Sequence, residues 1–65
     1  MLVLDRATVD AVRNVVAAGH RELAYSLIWD KAGGVLGIKT CAAIADLVNM
    51  PGQSWTCGRV LVQLY

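Results

Sequence analysis

Charge is what this sequence has least of. Asp, Glu, Lys and Arg make up 17% of its 65 residues, against about a quarter of an ordinary soluble domain. That shortfall excludes a disordered tail or solvating polymer, which needs charge to stay extended. Two cysteines, Cys41 and Cys57, close at most one bridge and match no metal-ligand spacing. They exclude a disulfide scaffold and imply a reduced, cytoplasmic chain with no metal and no cofactor. Long apolar runs are also missing: the longest uncharged stretch, Leu47 to Gly58, is interrupted by Pro51, Gly52, Gln53 and Ser54. A membrane span needs about 20 mostly apolar residues, and the N-terminal Met-Leu-Val-Leu-Asp-Arg lacks the basic start and long core of a secretory signal. No membrane partner is expected.

What the chain has in excess is apolar residues. Ala, Val, Ile, Leu, Met, Trp, Cys and Gly account for 41 of 65 positions, or roughly 63% where about 45–50% is usual. A chain this short buries only about 60% of its unfolded surface and has roughly 3–5 kcal/mol of stability to work with. The surplus therefore calls for a second chain or a ligand. The net charge of +1 is unevenly spread. Residues 1 to 30 carry Arg6, Arg13 and Arg21 against Asp5, Asp10, Glu22 and Asp30, whereas residues 31 to 65 carry Lys31, Lys39 and Arg59 against Asp46.

Glycines and the lone proline divide a single domain, 1–65, into an N-terminal helical hairpin (1–33) and a C-terminal helix-turn-helix (39–65). A first helix runs from an Asp5 N-cap, whose carboxylate can accept first-turn N–H groups, to Ala18, with Gly19 as its left-handed terminator. Val9, Val12 and Val16 give it one apolar face. A second helix spans about His20 to Ala32, ended by Gly33-Gly34, with Leu23, Ala24, Leu27 and Ile28 as its stripe. Val35 to Ile38 reads as an extended connection or short strand, and Thr40 caps a third helix over Cys41 to Asn49. From Ser54 to Tyr65 a helical projection gathers Cys57, Val60, Leu61, Leu64 and Tyr65 on the inward face and Trp55, Thr56, Arg59 and Gln63 on the other. This segregation favours a fourth helix; a strand competes, because Trp, Thr, Cys, Val and Tyr are strand formers and Gly58 weakens a helix interior. The expected fold is all-α, or mostly α with a short strand near 35–38, in a helix-turn-helix or winged-helix-like arrangement of three to four helices.

Little here looks catalytic. His20 sits at a helix junction with no nucleophile at a motif spacing and reads as a hairpin or capping residue. Both cysteines lie on predicted inward faces, as small buried hydrophobes. Gly33-Gly34-Val35-Leu36-Gly37 lacks the Lys-Ser/Thr of a phosphate loop. No enzyme is expected.

Residues 40 to 61 are more informative. Ile44-Ala45-Asp46-Leu47-Val48, a tight turn, then Gly58-Arg59-Val60-Leu61 match a helix-turn-helix in which small Ala45 permits a close crossing while Ile44, Val48, Val60 and Leu61 lock the pair. The turn is about two residues longer than the shortest version, as in winged-helix proteins. The segment resembles the helix-turn-helix of the alkylguanine-DNA alkyltransferases and alkyltransferase-like proteins, through Thr40, Ile44, Ala45, Leu47, Met50, Pro51, Gly58, Arg59 and Leu61. Cys41 replaces that family's tyrosine, Trp55 stands where it has a base-prying arginine, and its Pro-Cys-His-Arg motif is absent. The resemblance thus implies double-stranded DNA binding without alkyl transfer, with Trp55 as a wedge between base steps.

The expected function is a DNA-binding transcriptional regulator acting as a homodimer. Gln53, Ser54, Trp55, Thr56, Arg59 and Gln63 would reach the groove, and Lys39 and Thr40, with Lys31, the phosphates. The alternative is a non-enzymatic interaction module, such as a phage-encoded inhibitor or adaptor, docking on a host or sister protein through apolar surface. Tyr25 and Trp29 read as core or dimer packing, which assigns self-association to the N-terminal hairpin and recognition to the C-terminal half.

Overall fold

A computed structural model describes the whole chain, Met1–Tyr65. Its elements are β1 (Leu2–Leu4), α1 (Arg6–Ala17), α2 (Arg21–Lys31), α3 (Ile38–Leu47), β2 (Ser54–Cys57) and β3 (Val60–Leu64). The strands form one sheet in the order β1-β3-β2, with β1 parallel and β2 antiparallel to β3. The all-α expectation is therefore overturned: the domain is α/β, three helices against a mixed three-stranded sheet.

The first two helices follow their end signals. Asp5 is the N-cap of α1, but its carboxylate caps no backbone N–H; it accepts the Thr8 hydroxyl and pairs with the Lys31 ammonium at 3.6 Å. Both helices close in Schellman motifs. The N–H groups of Gly19 and His20 reach the carbonyls of Val16 and Val15, and those of Gly33 and Gly34 reach Asp30 and Trp29. Farther on, α3 is capped by Gly37 and begins at Ile38, so Thr40 lies within its first turn rather than capping it. No strand forms at 35–38.

The expected fourth helix is a β-hairpin. Cys57 pairs with Val60, leaving Gly58-Arg59 as a two-residue turn. Gly58 alone of the two has a left-handed φ, +59°, which fits the II′ class that matches strand twist. Burial then alternates with period two, placing Trp55 and Val62 inside and Thr56, Leu61 and Gln63 outside. The helical and strand patterns agree on Cys57, Val60 and Leu64 because the turn keeps them in phase; they differ at Trp55, Leu61, Val62 and Tyr65, the last expected inward and found exposed. Strand propensity prevails since a helix would carry Gly58 in its interior, at about 1 kcal/mol relative to Ala, and would leave β1 without a partner.

The core lies between the sheet and the helices. Leu2, Leu4, Trp55 and Val62 face Val9 and Val12 of α1, Ala24 and Ile28 of α2, and Cys41, Ile44, Ala45 and Val48 from α3 and its cap. Full burial of a Leu or Ile contributes about 1.5–3 kcal/mol, so any one of them is a large part of the net stability. Arg13 ties α1 to the end of α3: Nε donates to the Val48 carbonyl at 2.9 Å and Nη2 to that of Met50 at 3.1 Å. Asn49 adds a bond from Nδ2 to the Ala45 carbonyl at 2.7 Å.

Two stability predictions follow from these contacts. Trp55 is 7% exposed and its Nε1–H has no acceptor. Trp55→Phe, which removes the unpaired donor, should therefore change stability by no more than about 1 kcal/mol, whereas Trp55→Ala should lose about 3–5 kcal/mol and unfold much of the population. Urea melts followed by circular dichroism distinguish the two. The Thr8 hydroxyl, aided by Lys31, holds the Asp5 carboxyl below its ordinary value. A depressed pKa means that this contribution is present above the unfolded-state value and lost as pH falls through the folded one. As the pH falls through the carboxylate range, the melting temperature should therefore fall more for the native chain than for Asp5→Asn.

Candidate functional site

The helices cover one face of the sheet and leave the other open. On the open face, Val3 of β1 is 49% exposed and Leu61 of β3 is 39% exposed, and Tyr65, just beyond β3, is also exposed. Ser54 pairs with Gln63 and Thr56 with Leu61, so a polar row from β2 borders the apolar strip. Every side chain in the three strands is uncharged.

Several of the residues expected to contact DNA meet on this hairpin. Ser54, Thr56 and Gln63 share its solvent side, Gln53 precedes β2 and Arg59 occupies the turn, all exposed. Lys39 and Thr40 lie elsewhere, on the first turn of α3. Trp55 is the correction: it points into the core and is no wedge. The helix-turn-helix expected over residues 40 to 61 also lacks its second helix, since that stretch is the rest of α3, a loop and a hairpin.

Few cations are free to meet phosphates. Arg6 pairs with Asp10 at 3.3 Å, Lys31 with Asp5, and Arg13 is committed to carbonyls. Arg21, Lys39 and Arg59 have no anionic partner. Cys41 is buried and its thiol pKa is raised by desolvation, so it is disfavoured as a nucleophile; both cysteines are free. No group of three or more His, Cys, Asp or Glu side chains is placed to hold a metal ion. His20 is exposed at the N-cap of α2, in a shallow polar cleft with Arg21 and Glu22.

A second concavity opens at one end of the core. It measures about 480 Å³ and lies between the starts of β1 and β3 and the chain leaving α2. Leu2, Ala32, Leu36 and Val60 contribute to its walls, with Lys31 and Arg59 as its charged residues.

Sequence reasoning missed the open sheet face and this groove because both depend on β1. Neither Leu2-Val3-Leu4 nor Val60-Leu61-Val62 alternates between apolar and polar residues, so the only signal for these strands was their strand-forming composition. The valine-rich first helix, expected to face a second chain, instead spends Val9 and Val12 on the core and half-buries Val15 and Val16. No helix is long and apolar enough to cross a membrane. No protein-family model, curated protein or solved structure matches the chain.

Proposed function

We propose that this chain is a non-enzymatic interaction module that self-associates through the open face of its sheet. The observation that carries this reading is the bare outer side of the parallel β1–β3 pair, with Val3, Leu61 and Tyr65 in solvent. Parallel pairs are ordinarily covered on both faces, and two sheets pack with their inner side chains interdigitated at about 10 Å. Apposing this face to its own copy meets no like charge within the strands. The same patch would serve both copies, as two-fold symmetry requires.

Size limits the affinity. A standard interface takes about 800 Å² per partner, close to a fifth of the 4102 Å² surface of this chain. Three short strands supply less, so self-association should be weak, on the order of 10–100 μM. In sedimentation experiments from about 5 to 500 μM, the mass should rise from monomer toward dimer. Leu61→Glu and Val3→Glu should each hold the chain monomeric, and Asn14→Glu, on an exposed part of α1, should leave association unchanged. A constant monomer mass for the native chain overturns the reading.

A second reading keeps double-stranded DNA as the partner. It rests on the exposed cluster of Gln53, Ser54, Thr56, Arg59 and Gln63 on one hairpin, since a two-stranded ribbon fits the major groove. It ranks below the first because, of the three cations without an anionic partner, only Arg59 lies on this hairpin, and even all three together would give a salt slope of only about −3 per chain. A mobility shift of random duplex at low salt and about 10 μM protein should appear if this reading holds, and Arg59→Gln should reduce the slope by about one. No shift under those conditions removes it.

A further inference from the structure

We propose that the groove at the end of the core is a binding site for a small apolar monocarboxylate. Leu2 and Val60, inward residues of β1 and β3, meet Val35 and Leu36 from the chain linking α2 to α3, and Lys31 and Arg59 are the charged lining residues. Its volume of about 480 Å³ lies within the roughly 300–1,000 Å³ of small-molecule sites. That is room for a small molecule rather than a folded partner.

Charge selects the class of ligand. No acidic residue lines the groove, and both charged lining residues are cations. A neutral apolar molecule would leave Arg59 without a counter-charge, a cation would be repelled, and an inorganic anion would leave the apolar walls wet. An apolar tail with one carboxylate satisfies both parts of the lining. Arg59 is the better anchor: its guanidinium has no anionic partner in the chain, and its planar fork matches a carboxylate. Lys31 is shared with Asp5 at 3.6 Å and contributes less. The hairpin turn fixes the root of Arg59, because Cys57 and Val60 pair on either side of it.

The groove shares one residue with the self-association face: Val3 lines it as well, whereas Leu2 and Val60 belong to the groove alone and Leu61 lies outside it.

The test is an amide-resolved NMR titration of the full chain with octanoate, compared with octanol and octylammonium, each below its aggregation threshold. Octanoate should shift the amides of Val35, Leu36 and Val60 and bind about fivefold more tightly than octanol; octylammonium should bind more weakly than either. Arg59→Gln, which removes no hydrogen bond or ion pair of the fold, should bring octanoate to within about twofold of octanol, and Lys31→Gln should have a smaller effect. Equal affinity for octanoate and octanol, dominant shifts outside the groove, or an unchanged octanoate preference in Arg59→Gln overturns the proposal. Repeating the titration in Leu61→Glu, a substitution outside the groove that the self-association reading expects to hold the chain monomeric, separates ligand binding from dimerisation.

Discussion

The pairing of β1 with β3 is the constraint on which the rest of this fold depends. A two-stranded hairpin such as β2–β3 is marginal by itself in water. Leu2–Leu4 supply the third strand in parallel register with Val62–Leu64, and the Tyr65 N–H donates to the Leu4 carbonyl at 2.7 Å. The same three residues send Leu2 and Leu4 into the core. A parallel pair cannot be joined by a tight turn and needs a long crossover. Here that crossover includes all three helices, which is why they lie together against one face of the sheet and leave the other uncovered.

The long crossover has to be held in place, and Arg13 does much of this. Its guanidinium binds the Val48 and Met50 carbonyls, where the backbone leaves α3 and heads for β2. The last carbonyls of a helix carry partial negative charge and lack intrahelical donors, so a cation from α1 satisfies that of the Val48 cap, and that of Met50 just beyond it, while joining two elements distant in sequence. This also withdraws one of the few cations from the surface. The ion pairs Arg6–Asp10 and Lys31–Asp5 withdraw two more, leaving a fold whose electrostatics are local.

These features divide what the sequence discloses from what it conceals. The limits of α1 and α2 were legible because Asp5, Gly19 and Gly33 act within a few residues of the backbone they terminate. β1 was not, since Leu2-Val3-Leu4 is too short to show a period and becomes a strand only through contact with residues 62 to 64. For residues 54 to 64 two periodicities shared the inward positions Cys57, Val60 and Leu64, and the tertiary partner decided between them. Of the outward helical face Trp55, Thr56, Arg59 and Gln63, Thr56 and Gln63 stay exposed on the strands and Arg59 in the turn, because their outwardness does not depend on which projection holds. Trp55 was inverted for the complementary reason: its side differs between the two.

The apolar excess acquires a different explanation from this arrangement. The chain exposes 4102 Å², close to the roughly 4,000 Å² expected for a folded monomer of its mass, so the excess is not an extended arm awaiting a partner. It is a matter of which residues occupy the surface. α1 buries Val9 and Val12 and half-buries Val15 and Val16, and the helices carry all the negative charge except that of Asp5, at the start of α1, while the strands carry no charge and alternate apolar residues toward both sides. A strand with a solvated outer face normally reads apolar-in and polar-out; β1 and β3 depart from this at Val3 and Leu61. That departure lies on the central strand and its parallel neighbour, where a covering surface would gain the most buried apolar area.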